Sequence, residues 1–206
     1  MKLTNSEGEL AVKIARKVVE SVVKGEELPK FEGVPPVFNE KMGAFVTLET
    51  YPKKELRGCI GIPYPIYPLL EAIIEAAEGA ALHDPRFPPV RPEELKEIIV
   101  EVSVLTPPVK IEVKDKRELP KKIKIGEDGL IVKKGFYQGL LLPQVAVEEG
   151  WDPETFLAYT CWKAGLPGDC WLDEDTEVYK FTAEIFSEED PYGRIIRRTL
   201  HECCGL

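Results

Sequence analysis

The apolar periodicity of this chain changes type again and again without settling into a strand–helix–strand rhythm. An α+β protein with antiparallel sheet fits such a mixed order best. Ser6 and Glu9 stand at capping-box spacing, and Leu10, Ile14, Val18 and Val22 then recur at helical period until Gly25. Prolines at 29, 35 and 36 break the chain before GAFVTLETY (43–51), which predicts a strand. A turn over 52–55 makes LRGCIGIP its hairpin partner. IYPLLEAIIEAAEGAAL (66–82) predicts a second helix, with Leu69, Ile73, Ala76 and Ala80 along one stripe. A proline-punctuated connection ends in a short helix over 92–96, and the β-branched run 97–107 predicts a buried strand. Glu-Asp-Gly at 127–129 and Lys-Gly at 134–135 predict a three-strand meander over 121–142. PQVAVEEG and DPETFLAYTCWKAGL predict two helices and 177–189 a closing strand, while the tail after Pro191 carries little packing signal. The expected fold class is α+β, mainly antiparallel sheet flanked by helices.

A chain of 206 residues fits one large domain or two lobes sharing a core, and Pro107–Pro108 is the best boundary between lobes. Its 44% hydrophobic and 31% charged residues are those of a globular protein rather than a disordered one. The apolar runs are too short to span a bilayer and MKLTNSEGEL lacks the apolar core of a signal peptide, so a cytoplasmic protein with no membrane partner is expected. The net charge of −9 argues against wholesale nucleic-acid binding. That charge is uneven: residues 107–135 carry nine Lys/Arg against five Asp/Glu, and residues 136–190 carry two against thirteen. Heavy use of Lys and Glu, with 18 prolines, resembles thermophile composition.

The densest chemistry lies in Arg57–Gly58–Cys59–Ile60–Gly61. On a regular strand Arg57 and Cys59 point one way while Leu56 and Ile60 face the core. A guanidinium beside a thiol favours the thiolate, the nucleophilic form, so Arg57 is expected to tune Cys59. Gly58 and Gly61 weaken a strand and need a reason, such as a bulge or a ligand approaching the backbone. The same residues also fit a small buried cysteine in a glycine-kinked strand, with Arg57 paired to a carboxylate. His83, followed by Asp84, Pro85 and Arg86, admits either base chemistry or an interaction at a helix C-terminus.

The other cysteines are less telling. Five in all do not make a secreted disulfide framework, and none forms a Cys-x-x-Cys pair, so Cys161, Cys203 and Cys204 are not expected to hold a structural metal. Cys161 shares an apolar helix face with Leu157 and Ala164; core packing and a Cys161–Cys170 disulfide both stay open. The terminal His201–Glu202–Cys203–Cys204 reads as a loose tail. No glycine-rich nucleotide fingerprint, P-loop, zinc-protease or serine-hydrolase motif is present in the sequence, and no cofactor is named by it.

Leu56-Arg57-Gly58-Cys59-Ile60-Gly61 resembles the LRGCIG signature of the AMMECR family, and the likeness continues through DPRFPPV (84–90), SVLTPP (103–108), GLLLPQVA (139–146) and WKAGLPGDCW (162–171). The chain is most similar to an archaeal, stand-alone member. The resemblance implies a single AMMECR-type domain over 1–206 with two α+β lobes, the larger from 1–108 plus 177–206 and the smaller from 109–176. It also implies that the signature lines the region between the lobes. Bacterial relatives belong to the AmmeMemoRadiSam system, so a Memo-like protein or a radical SAM enzyme is an implied partner. The candidate site is then Cys59 and His83 for chemistry, with Arg57, Gly58, Gly61, Asp84 and Arg86 for binding a small anionic molecule. The alternative is a non-catalytic interaction module, and enzymatic turnover stays open.

Overall fold

The computed structural model describes residues 3–198. They form two compact units, one from residues 3–105 with Glu184–Arg198 and the other from residues 106–183. His201, Glu202, Cys203 and Cys204 lie outside the described residues.

The first unit opens with helix α1 (Asn5–Lys24). Its cap is Thr4, not Ser6: the Thr4 hydroxyl accepts from the Glu7 N–H, and the Glu7 carboxylate accepts from the Thr4 N–H at 2.7 Å. The same Ser/Thr-x-x-Glu spacing recurs two residues upstream, and the earlier start buries Leu3, whose N–H donates to Glu184 at 2.6 Å. Gly25 closes the helix at φ 69°, in the left-handed region. Strands β1 (Gly43–Thr50) and β2 (Leu56–Ile62) form the expected antiparallel hairpin. Helix α2 (Leu69–Glu78) begins later than its apolar pattern, because Pro68 stands at the cap, and it runs into a π-helical turn, Gly79–His83. Strand β3 (Ile98–Leu105), buried along its whole length, pairs antiparallel with the other side of β1.

One face of this sheet makes the core. Ala44, Val46 and Leu48 of β1 and Val100, Val102 and Val104 of β3 cluster with Ile14 and Val18 of α1 and Ile73 and Ala76 of α2. Each such valine, leucine or isoleucine is worth about 1.5–3 kcal/mol when fully buried. Apolar burial therefore outweighs any single polar contact in holding the unit together.

The second unit contains β4 (Val109–Lys110), β5 (Asp128–Lys134), β6 (Tyr137–Leu141), α3 (Pro143–Glu148), α4 (Pro153–Lys163) and the first part of β7 (Glu177–Glu188). Its strands lie in the order β4–β7–β5–β6, all antiparallel. The three-strand meander is only a hairpin. Lys116–Lys122 is a 3₁₀ helix, Gly126 turns the chain at φ 83°, and the Asp128 carboxylate accepts from the Lys124 N–H at 2.9 Å. Side-chain capping of that turn takes up the backbone that a first strand would have used. Leu130, Val132, Phe156, Leu157 and Val178 form the core of this unit, and Cys161 is buried there in a disulfide with Cys170, Cα atoms 6.1 Å apart. Both readings of Cys161 therefore hold.

The tail after Pro191 is not without structure. Ile185–Glu188 of β7 pair with β8 (Ile195–Arg198) in the first unit, and the Arg197 guanidinium lies 4.6 Å over the Phe186 ring. The two stretches of the first unit are pinned by a buried ion pair, Arg16 with Glu188. Glu188 also accepts from the Val100 N–H at 2.9 Å, and the Arg16 Nη2 donates to the Ile98 carbonyl at 2.8 Å. Replacing Glu188 with alanine strands a buried guanidinium, and is expected to cost about 3–5 kcal/mol in denaturant unfolding. A loss below about 1 kcal/mol would show that the pair contributes little.

Candidate functional site

The signature strand does not follow simple alternation. Leu48 stands opposite Gly58 and Glu49 opposite Leu56, so Arg57 is an extra residue and β2 carries a bulge there. The bulge changes the face of everything before it. Leu56, expected in the core, is instead 43% exposed, whereas Ile60 packs partly against the core.

Cys59 lies on the sheet face opposite the helices, in one cross-strand row with Thr47 of β1 and Glu101 of β3. The Thr47 hydroxyl donates to the Cys59 sulfur at 3.4 Å. Glu101 is buried and paired with Arg198 at 2.7 Å; burial pushes its carboxyl up from the ordinary range, against the pull of that arginine. Thr47 and Glu101 were not among the residues singled out from sequence. A glutamate alone within the run Ile98–Leu105 was the available signal for the second, and nothing distinguished the first.

β2 is the last strand on its side of the sheet, so the outward N–H and C=O of Cys59 have no strand to pair with. Two side chains take that place. The Asp84 carboxylate accepts from the Cys59 N–H at 2.8 Å, and Arg86 Nη2 donates to the Cys59 carbonyl at 3.0 Å. Asp84 also accepts from the Arg86 backbone N–H at 3.0 Å and from its guanidinium at 2.9 and 2.7 Å. The Asp84 side chain is 2% exposed and that of Arg86 53%. These hydrogen bonds, led by those from the guanidinium, hold the Asp84 carboxyl well below the usual carboxylate range.

Arg57 is committed to other partners. Its guanidinium is engaged by Glu94 at 2.9 and 3.2 Å and by the Pro89 carbonyl at 3.4 Å, the carboxylate-paired arrangement of the alternative reading. Burial pushes the Cys59 thiol up, not down, while the Thr47 hydrogen bond and then the charge of Arg86 pull against it. The cation at the thiol is therefore Arg86.

The glycines are explained by close packing inside the unit. A Cβ on Gly58 would sit 2.2 Å from the Ala80 carbonyl oxygen of the π-helical turn, and one on Gly61 would sit 2.2 Å from the Phe45 ring. His83, at the end of that turn, is 66% exposed at its side chain with Nε2 3.7 Å from Glu78, and among the described residues it makes no hydrogen bond to Cys59. The structure thus brings together Cys59, Asp84 and Arg86, and leaves His83 outside.

These features meet in a known family. The sequence profile of the AMMECR1 family matches residues 12–186, and the chain belongs to that family. A protein of Thermococcus gammatolerans is 64% identical over 197 residues, covering 94% of this chain and 96% of that one. Protein MJ0810 of Methanocaldococcus jannaschii is 58% identical over 198 residues, with 96% and 98% covered. The crystal structure of the uncharacterized protein PH0010 from Pyrococcus horikoshii is similar with a TM-score of 0.84 at 60% identity, covering 97% of this chain and all of that one. Among the described residues no helix is long and apolar enough to cross a membrane.

Removing the Asp84 carboxylate leaves the part-buried Cys59 N–H unpaired and frees Arg86, so Asp84→Ala is expected to destabilise the protein by about 2 kcal/mol at pH 7. Because the folded-state pKa is depressed, this contribution is present above the unfolded value and lost as pH falls below it. The stability gap between the wild type and Asp84→Asn should narrow below about pH 4, as read by denaturant melts at several pH values.

Proposed function

We propose that the first unit binds a small anionic molecule beside Cys59, with Arg86 holding the anion and the thiol acting as nucleophile or carrying a thiol-linked intermediate. One observation carries this reading. Arg86 uses Nε and Nη2 on Asp84 and the Cys59 carbonyl, while Nη1 has no hydrogen-bond partner among the described residues. A half-exposed guanidinium, fixed in orientation and with donors to spare, suits a carboxylate or phosphate. Asp84 is then a positioning residue. Arg57, Gly58 and Gly61 shape the strand rather than touch the ligand.

Alkylation of Cys59, followed by mass spectrometry, tests both halves of the proposal. Iodoacetate carries the negative charge that iodoacetamide lacks, so Arg86→Gln should lower the iodoacetate-to-iodoacetamide rate ratio about threefold. The pH midpoint of the iodoacetamide reaction should rise in Arg86→Gln and stay in place in Arg57→Leu. An unchanged ratio in Arg86→Gln would remove the anion site, and a midpoint moved by Arg57→Leu would restore Arg57 as the tuning cation.

A second reading, an interaction module, is favoured by Phe136, fully exposed at the tip of the β5–β6 hairpin, beside the exposed Tyr137. A Memo-like protein or a radical SAM enzyme is the partner class that the family likeness suggests. Phe136→Ser should then weaken such binding at least about fivefold by calorimetry, as truncation of an interface anchor does. An unchanged affinity would exclude this tip as the contact.

A further inference from the structure

A second concave site lies in the first unit, away from the signature strand. It is a cavity of ≈ 390 Å³ lined by α1 and by the β7–β8 hairpin, and none of its lining residues belongs to the Cys59 row. That volume is within the range of about 300–1,000 Å³ typical of small-molecule sites. Leu10, Ile14, Phe31 and Ile195 supply its apolar surface.

Its charged groups divide into committed and uncommitted ones. Arg16 and Glu188 are buried and paired with each other. Glu20 accepts from the Tyr192 hydroxyl at 2.9 Å and lies 3.9 Å from Lys24. Lys13 has only Glu9, at 3.9 Å between exposed side chains, and Lys17 makes no ion pair among the described residues. The lining therefore carries three cations (Lys13, Arg16 and Lys17) against two carboxylates (Glu20 and Glu188), and Lys13 and Lys17 stand four residues apart on one face of α1.

Tyr192 is the second observation. It lies in the hairpin turn at φ 63°, a left-handed conformation that is an outlier for a bulky aromatic, although Gly193 stands next to it. Holding the tyrosine there places its ring 4.5 Å from the Arg16 guanidinium and its hydroxyl on Glu20. Both contacts line the cavity, and the second ties the Glu20 carboxylate to the hairpin turn.

We infer that this cavity binds a small amphipathic anion, an apolar ring or short chain bearing one carboxylate or sulfonate. The apolar body would lie on Leu10, Phe31 and Ile195, with the anionic group between Lys13 and Lys17 at the mouth.

The test titrates the full chain with 8-anilinonaphthalene-1-sulfonate, an aryl sulfonate, and with the neutral N-phenyl-1-naphthylamine, following fluorescence. The sulfonate should bind at one saturable site, at least about fivefold more tightly than the neutral probe, given the worth of two exposed charge contacts. Lys13→Gln combined with Lys17→Gln should erase that preference while leaving the neutral probe unaffected, and Leu10→Trp should abolish both by filling the cavity. Cys59→Ser should change neither, which keeps this site separate from the thiol site. Equal binding of the two probes, or full sulfonate affinity in the double lysine variant, overturns the proposal. Both lysines are exposed, so that variant decides the matter even if Leu10→Trp does not fold.

Discussion

The buried pairing of Arg16 with Glu188 is the polar interaction that ties together the segments of the first unit most distant in sequence. A guanidinium taken out of water must have its donors met, and here they are met by a carboxylate from the end of β7 and by the carbonyls of Leu95 and Ile98. The same carboxylate accepts from the Val100 N–H. One ion pair therefore joins α1, β3 and a stretch of chain more than 80 residues further on. The same end of β7 pairs with Ile195–Arg198 of β8.

A similar substitution of side chains for strand governs the thiol site. β2 ends its sheet, and an open edge would leave the Cys59 amide and carbonyl to water. Asp84 and Arg86 close that edge with a carboxylate and a guanidinium that also bind each other. They stand just past the π-helical turn, whose Ala80 carbonyl approaches Gly58 so closely that no side chain fits. The glycine, the extra turn residue and the Asp-Pro-Arg segment form one device: the first admits the turn, and the turn delivers the two charges to the edge. The bulge at Arg57 serves the same end by turning Leu56 out and letting Arg57 reach Glu94.

The two sites of the first unit differ in how their charges are disposed. At Cys59 each cation has a carboxylate partner, and Nη1 of the half-exposed Arg86 has no hydrogen-bond partner among the described residues. At the α1 cavity the lining has one more cation than carboxylates, and Lys17 makes no ion pair among the described residues. Both therefore present positive charge to a ligand in a chain whose net charge is −9. Local pairing, not overall balance, sets the chemistry of each.

Much of the secondary structure was legible because it follows from local periodicity. The stripe on α1, the β1–β2 hairpin, the buried β3 and the helices α3 and α4 all stand where the apolar spacing places them. Cys59 was legible as a candidate too, since LRGCIG sets a thiol and an arginine among glycines. The rest depended on contacts distant in sequence. A bulge is a choice of register, so nothing within LRGCIG could tell that Leu56 would face outward. Which arginine reaches the thiol depended on which carboxylate lay nearer, and Glu94 captured Arg57 while the edge of β2 drew Arg86 to Cys59. The spacing of apolar residues by itself determined most of the helices and strands, though not the 3₁₀ turn at Lys116–Lys122 or strand β8; only the tertiary structure decided which charges pair, because electrostatic partners are selected by proximity in space and not by position along the chain.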